Sequence, residues 1–521
     1  MKLNYKRTIL VGFAFFLISA FWQAYDATIP VILTNKFGMS QGWSGVIMAL
    51  DNILAVFMLP IFGAISDKCR SKHGKRTPFI TIGTIIAAIA IFSLTFVDNA
   101  QLKNISAVSK LDDPAAMEVI YDTQKDNELL TPEGEPFKLG EVYENKEDFL
   151  QIKSEVEDPA TGKKITAEEY TNYVVPARQA YAAEQTGANP TPLILFIALL
   201  FIVLVAMATF RSPAVALMPD VTIKPLRSKA NAIINLMGTA GGILILVLGI
   251  VFATSAVRNQ LMNYYVYYGI LAAIMLVSLG IFLATVREPK WSKEMREDSV
   301  KLGIEENEEE ETGIKRKLSR SEIRSLLFIL ASVALWYFGY NAVTSKYAVY
   351  AGNILNMDYN TTLLIAQGAA IVAYLPAGMV ATKIGRKKTI LAGVIMLTTA
   401  FGAASFMRSG SPVLVMNVLF ALAGIGWATI NVNSFPMVVE MCSGGDIGKY
   451  TGYYYTASMS AQIITPMLSG ALMDMEGVGM TVLFPYAAIF AGLAFVTMLM
   501  VKHGDAKPEV KKGLEALNVD D

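Results

Sequence analysis

Apolar runs dominate the chain, and their length predicts the elements more strongly than any helical or strand period. A helix crossing a bilayer core of about 30 Å needs about 20 predominantly apolar residues. Such runs fall at 8–34, 44–66, 78–97, 192–218, 229–254, 264–286, 325–350, 361–383, 388–407, 411–440, 450–473 and 479–501. The pattern predicts twelve membrane-spanning helices. Several hold glycine or proline (Gly238, Gly241, Gly242, Pro376, Gly424, Gly426, Pro466), which spans tolerate better than soluble helices do. The first run follows a basic start, as a secretory signal does. It is too long for one and no small-residue cleavage site follows, so it reads as a retained span.

Short joins between spans set orientation through their lysine and arginine content. The basic joins are the start (Lys2, Lys6, Arg7), 67–77, 219–229 (Lys224, Arg227, Lys229) and 383–388 (Lys383, Arg386, Lys387, Lys388). The alternate short joins hold only Lys36, Arg258 and Arg408. Both termini are therefore expected in the cytoplasm, with the protein in the plasma or inner membrane. The expected division is 1–97 (three helices of an N-terminal half), 98–191 (an extracytoplasmic insertion), 192–286 (helices four to six), 287–324 (a solvated cytoplasmic linker), 325–501 (a C-terminal six-helix half) and 502–521 (a cytoplasmic tail). The insertion has apolar residues enough for a small folded cap (Ile120, Tyr121, Phe149, Tyr170, Tyr173). It reads as a solvated appendage or, alternatively, as a lid or docking module.

Composition narrows the function classes. Hydrophobic residues make up 54% of the chain and charged ones 17%, below the roughly 25% of soluble domains. The net charge is zero, so no nucleic-acid partner is expected; the expected partners are the bilayer and a small solute, acting on a monomer. Cys69 and Cys442 make neither a disulfide framework nor a zinc site, and His73 and His503 lie in polar joins. No phosphate loop, metal-ligand spacing or nucleophile elbow appears. Neither an enzyme nor a cofactor or metal is expected.

The two halves repeat a motif at the same place. After span two come Gly63, Asp67, Lys68, then Gly74, Lys75 and Arg76; after span eight come Gly378, Thr382, Lys383, then Gly385, Arg386, Lys387 and Lys388. Glycine allows close helix approach, and the acid is suited to cap a neighbouring helix or pair with a base, bracing a cytoplasmic gate. Repeated six-span halves with this Gly-x-x-x-Asp-basic join resemble the major facilitator superfamily. "SDKCRSKHGKRTPFI" (66–80) resembles the join of the sucrose/proton symporters, departing at Thr77, where they usually have a third arginine. Its spacing is also similar to that of the glycoside–pentoside–hexuronide:cation symporters. "RSPAVALMPD" (211–220) is similar to the fourth span of the sucrose carriers, with the arginine moved ahead of the proline. The resemblance implies an all-α fold of two six-helix halves and uptake of a sugar or glycoside driven by a proton or sodium gradient.

Ionisable groups at membrane depth are functional candidates. Span one carries Trp22, Gln23, Tyr25 and Asp26, with 22, 23 and 26 on one helical face; span two carries Asp51 and Asn52. Two carboxylates at one level of a cavity tend to share a proton, so Asp26 and Asp51 are the proton-coupling candidates. The structural alternative is that one or both reach the outer water or pair with Lys346 or Arg211. Sodium remains an alternative, although span four has no acid before Asp220. Sugar sites combine aromatic faces with amide and charged groups. The substrate candidates are thus Trp22, Gln23, Tyr25, Asn52, Arg211, Trp336, Tyr340, Asn341, Gln367, Trp427, Asn431 and Gln462, with Glu440 as a gate or cap residue. Tyr347 and Tyr350 read as interface anchors. Rival readings are a carrier or exporter of another solute and a non-transporting sugar sensor.

Overall fold

The structure is a computed structural model that describes residues 3–157, 164–223, 226–301, 319–439, 441 and 447–503. Six long helices form the N-terminal half: α1 (Tyr5–Asn35), α2 (Gln41–Lys68), α3 (Thr77–Asn104), α8 (Thr191–Val221), α9 (Arg227–Val251) and α10 (Tyr265–Thr285). Six more form the C-terminal half: α12 (Arg320–Tyr350), α13 (Tyr359–Ile384), α14 (Arg386–Ala404), α15 (Val413–Val439), α16 (Ile447–Met473) and α17 (Leu483–Leu499). Among the described residues ten helices are long and apolar enough to cross a membrane. The other two, α13 and α16, have 26 and 27 residues, so length does not exclude them. Each half buries its own apolar cluster, one centred on Phe21, Phe196 and Tyr268, the other on Trp336, Tyr347 and Phe484.

Side chains cap the starts of α1, α12 and α13. Asn4 Oδ1 accepts the Arg7 N–H, Asp358 accepts from Asn360 and Thr361, and Ser319 and Glu322 form a reciprocal capping box. Helix α3 runs to Asn104 rather than stopping near 97, because its polar last turn is consumed internally. Lys36 Nζ donates to Asp98 Oδ1 and Oδ2 at 2.6 and 2.7 Å and to the Met262 carbonyl at 2.8 Å, over the Tyr264 ring at 4.6 Å. Both members of that ion pair are fully buried. Tyr347 and Tyr350 are likewise buried in the C-terminal core rather than anchored at an interface, and the Tyr347 hydroxyl bonds Thr362 Oγ1 at 2.7 Å.

The segment between α3 and α8 folds around a core of its own, containing Ile120, Phe149 and Tyr170. It comprises α4 (Pro114–Gln124), α5 (Leu139–Val142), α6 (Lys146–Leu150), α7 (Val175–Ala188) and two antiparallel hairpins. The hairpins pair β1 (Leu129–Leu130) with β2 (Pro136–Phe137), and β3 (Glu155–Glu157) with β4 (Lys164–Thr166). This is the insertion end of the bundle; the opposite end, where α2 meets α3, is the basic end.

The expected solvated linker needs correction over its first part. Residues 288–301 form helix α11 (Glu288–Lys301), which buries Glu288, Trp291 and Met295 against the N-terminal half. The amphipathic period of "EPKWSKEMRED" was hidden by its charge. Residues 302–318 and 504–521, Glu440 and Cys442 lie outside the described residues.

Candidate functional site

A cavity of about 550 Å³ opens between the halves. Helix α1 turns Trp22, Gln23 and Asp26 toward it, while Phe21, Ala24 and Tyr25 face the N-terminal core, as positions on opposite sides of a helix must. Helix α9 contributes Asn235, Thr239 and Gly242, α12 contributes Tyr340 and Thr344, α13 Gln367 and Tyr374, and α15 Trp427 and Asn431. Tyr340 and Trp427 stack with centroids 3.6 Å apart and planes 5° apart, giving the cavity a flat aromatic surface. Gln367 Nε2 donates to Gln23 Oε1 at 2.6 Å, a bond from one half to the other. Trp22 Nε1 and Gln367 Oε1 are buried and have no partner among the described residues. The wall thus offers an aromatic face, a donor, an acceptor and one carboxyl group.

Behind Trp22 lies a charged layer. The Arg211 guanidinium sits 5.8 Å from the Trp22 ring centre and within electrostatic reach of Asp51, which in turn acts on Asp26. Asp51 Oδ1 accepts from the Asn52 backbone N–H at 2.6 Å and Asn52 Nδ2 at 2.7 Å. Arg211, one of the two structural partners expected, thus acts on Asp51 through space, with no ion pair between them among the described residues. Lys346, the other, instead donates to the Gln41 carbonyl at 2.5 Å, beside Asp474.

That lysine belongs to a seam closing the insertion end. The Asp474 carboxylate accepts the Gln41 and Gly42 N–H groups at 2.7 and 2.6 Å, capping α2 from the opposite half. One turn on, α2 approaches α16 so closely that a Cβ on Gly45 would lie 2.0 Å from the Pro466 carbonyl oxygen.

At the basic end Arg76 is the hub. It donates to Asp67 Oδ1 at 2.5 Å, to Asp220 Oδ2 at 2.7 Å and to Ser66 Oγ. Asp67 thus pairs with a base and leaves the helix cap to Glu288. The Glu288 carboxylate accepts the N–H groups of Lys75, Arg76 and Thr77 at 2.6, 2.9 and 2.8 Å, and Thr77 Oγ1 at 2.7 Å. Gly74 backs onto that carboxylate, Gly63 lies against Ser212, and the Lys75 side chain is exposed. In the second copy, Gly378 is half-buried in α13, Gly385 ends α13 and Arg386 opens α14. Lys387 Nζ reaches the Leu499 and Val501 carbonyls at 3.0 and 2.5 Å.

The family model described as Major Facilitator Superfamily matches residues 180–373 and 358–518, and one described as MFS/sugar transport protein matches 10–106. The chain belongs to the Major Facilitator Superfamily. It is similar to the sucrose transport protein SUC4 of Arabidopsis thaliana, 34% identical over 71 residues, or 14% of each chain. It is also similar to the putative glycoside/cation symporter YagG of Escherichia coli (strain K12), 32% identical over 75 residues, 14% of this chain and 16% of that one. These matches span about a sixth or less of the relatives' lengths. A D-xylose-proton symporter structure has the same fold at a TM-score of 0.57 and 13% identity, covering 97% of this chain and 100% of that one. Nucleoside and peptide transporters share the fold at similar scores.

Within this facilitator-superfamily bundle the candidate residues divide cleanly. Trp22, Gln23, Asp26, Tyr340, Gln367, Trp427 and Asn431 come together on the cavity wall. Trp336 does not: it is fully buried in the C-terminal core. Tyr25 is buried between Phe21 and Trp22, and Asp51, Asn52, Arg211, Asn341 and Gln462 lie off the lining. Asn235, Thr239 and Tyr374 are wall residues that span-by-span reading missed; Tyr374 hydrogen-bonds Asn431. The i, i+4 spacing of Asn231, Asn235 and Thr239 in span five was the available signal.

Proposed function

We propose that the protein carries a sugar or glycoside, disaccharide-like in size, into the cell together with a proton by alternating access. The observation that carries this reading is the stacked Tyr340–Trp427 surface facing a wall of amides in the cavity between the halves. Sugar rings present apolar C–H faces that suit aromatic planes, and hydroxyls that need both donors and acceptors; amides supply both. The volume falls within the range of small-molecule sites, about 300–1,000 Å³. The names of the two partial relatives point to sucrose and, putatively, to a glycoside with a cation.

Asp26 is the acid on the wall, and Asp51 lies behind it within electrostatic reach. A proton on this pair removes a charge that is costly to enclose when the halves close, which links protonation to the direction the cavity faces. In this reading the basic end is cytoplasmic, the protein works as a monomer in the cell membrane, and the Arg76 cluster braces the cytoplasmic mouth.

The test is uptake of labelled mono- and disaccharides into proteoliposomes under an imposed pH gradient, with a parallel sodium gradient. Accumulation of a sugar driven by the pH gradient is expected. Accumulation driven only by sodium overturns the proton assignment, and none under either gradient overturns the sugar assignment.

A further inference from the structure

Among the described residues, the insertion is rooted in one half and is bonded to the other through one hairpin. Its root on the N-terminal half is extensive. Gln179 Nε2 donates to Asn35 Oδ1 at 2.8 Å, Gln101 Nε2 to Thr186 Oγ1 at 2.9 Å, and the buried Arg178 to Gln260 Oε1 at 2.5 Å. Val257 and Leu261, from the join after α9, complete the insertion's own core.

The other attachment is made by the turn 131–135 between β1 and β2. The Gly477 N–H donates to the Gly134 carbonyl at 2.8 Å, and the Met480 N–H donates to the Pro132 carbonyl at 2.7 Å. Arg408 pairs with Glu133 at 3.4 Å, both half-exposed. These partners belong to the α14–α15 and α16–α17 joins of the C-terminal half. The two backbones meet at Gly134 (φ +89°) and Gly479 (φ +62°), where a Cβ on Gly134 would lie 2.5 Å from the Gly479 nitrogen. A side chain fits at neither position.

The attachment lies at the end the α2–α16 seam closes. Rocking of the halves in alternating access separates that seam. The hairpin cannot stay docked on the C-terminal half while its base stays on the N-terminal half, so one attachment gives way. Two backbone hydrogen bonds and a solvent-screened ion pair are the weaker of the two sets. We infer that the 129–137 hairpin is a latch, which releases the C-terminal half each time the insertion end opens and so sets how often it opens. The inference rests on alternating access and not on which solute is carried.

Ser44, fully buried in the seam beside Gly45, is the reporter position. In full-length protein with Cys69→Ser and Cys442→Ser, Ser44→Cys is labelled with an impermeant maleimide applied from the insertion side. Adding Glu133→Cys and Arg408→Cys allows the latch to be tied with a short bifunctional methanethiosulfonate. Tying it should slow labelling at least about tenfold, with reductant restoring the rate, because local opening governs access to a buried site. Gly134→Val, which cannot dock, should speed labelling severalfold. Labelling of the tied protein at the untied rate overturns the inference, whether or not Gly134→Val folds. So does an untied protein that transports yet is never labelled. Labelling needs no substrate, so a failed sugar assignment leaves this result readable.

Discussion

Glu288→Gln isolates what holds helix α11 on the bundle. The wild-type carboxylate, on a residue only 3% exposed, accepts three backbone N–H groups and the Thr77 hydroxyl at the start of α3. Glutamine keeps the shape but turns an NH₂ donor toward N–H donors and removes the charge facing the helix N-terminus. Hydrogen bonds to a charged acceptor contribute about 1.5–3 kcal/mol each, and a charge at a helix terminus about 0.3–1 kcal/mol. Losing the bonds of one oxygen, with water replacing part of them at this polar edge, sets the cost at about 3 kcal/mol, or about 100-fold in the local opening equilibrium. Hydrogen exchange of residues 288–301 and 75–80 in nanodiscs reads that number directly. The control is Glu294→Gln, which breaks a 2.6 Å pair with Arg7 whose members are 38% and 35% exposed. A pair so screened contributes less than about 1 kcal/mol, so exchange should rise less than about fivefold. Equal exchange in the two variants would refute the capping account.

Three further outcomes are expected. Asp26→Asn and Asp51→Asn should abolish gradient-driven accumulation while sparing counterflow exchange; normal accumulation in both removes the coupling assignment. Trp427→Ala should raise KM about 5- to 30-fold, equivalent to about 1–2 kcal/mol of aromatic contact, whereas Trp336→Phe, off the cavity, should leave KM within about twofold. Asp98→Asn strands the buried Lys36 and should cost about 3–5 kcal/mol, seen as loss of folded protein in detergent; Lys36→Met with Asp98→Leu should recover much of it, and equal loss in both would count against a charge effect.

Apolar run length made the two halves legible, because a bilayer imposes length on every span and the basic joins punctuate them. It hid what polarity does inside the bundle. Asp98 and Gln101 read as the start of a loop, yet they are the buried last turns of α3. Glu288 read as one acid in a charged linker, and only its position in space shows that it caps a helix over 200 residues earlier in the chain. On α1 the helical face placed Trp22, Gln23 and Asp26 together, as a local rule can. Trp336 was beyond such reasoning: which face of α12 meets the cavity is set by its packing on α16 and α17. The Glu133–Arg408 and Gly134–Gly479 contacts had no signature in either segment alone.

Arg76 leads two lives separated by the time of synthesis. Its ion-pair partner Asp220 lies 144 residues further along the chain, and the Glu288 that accepts its backbone N–H lies 212 residues further. Asp67 is made with it, but neither distant carboxylate exists while α2 and α3 enter the bilayer, so the join is then strongly basic through Lys68, Arg70, Lys72, Lys75 and Arg76. Once α8 and α11 arrive, Arg76 is buried and its charge is balanced, leaving the exposed lysines and Arg70 as the lasting surface charge of the join. A join that is basic when it is made thereby becomes, within one molecule, a weld between elements made long after it.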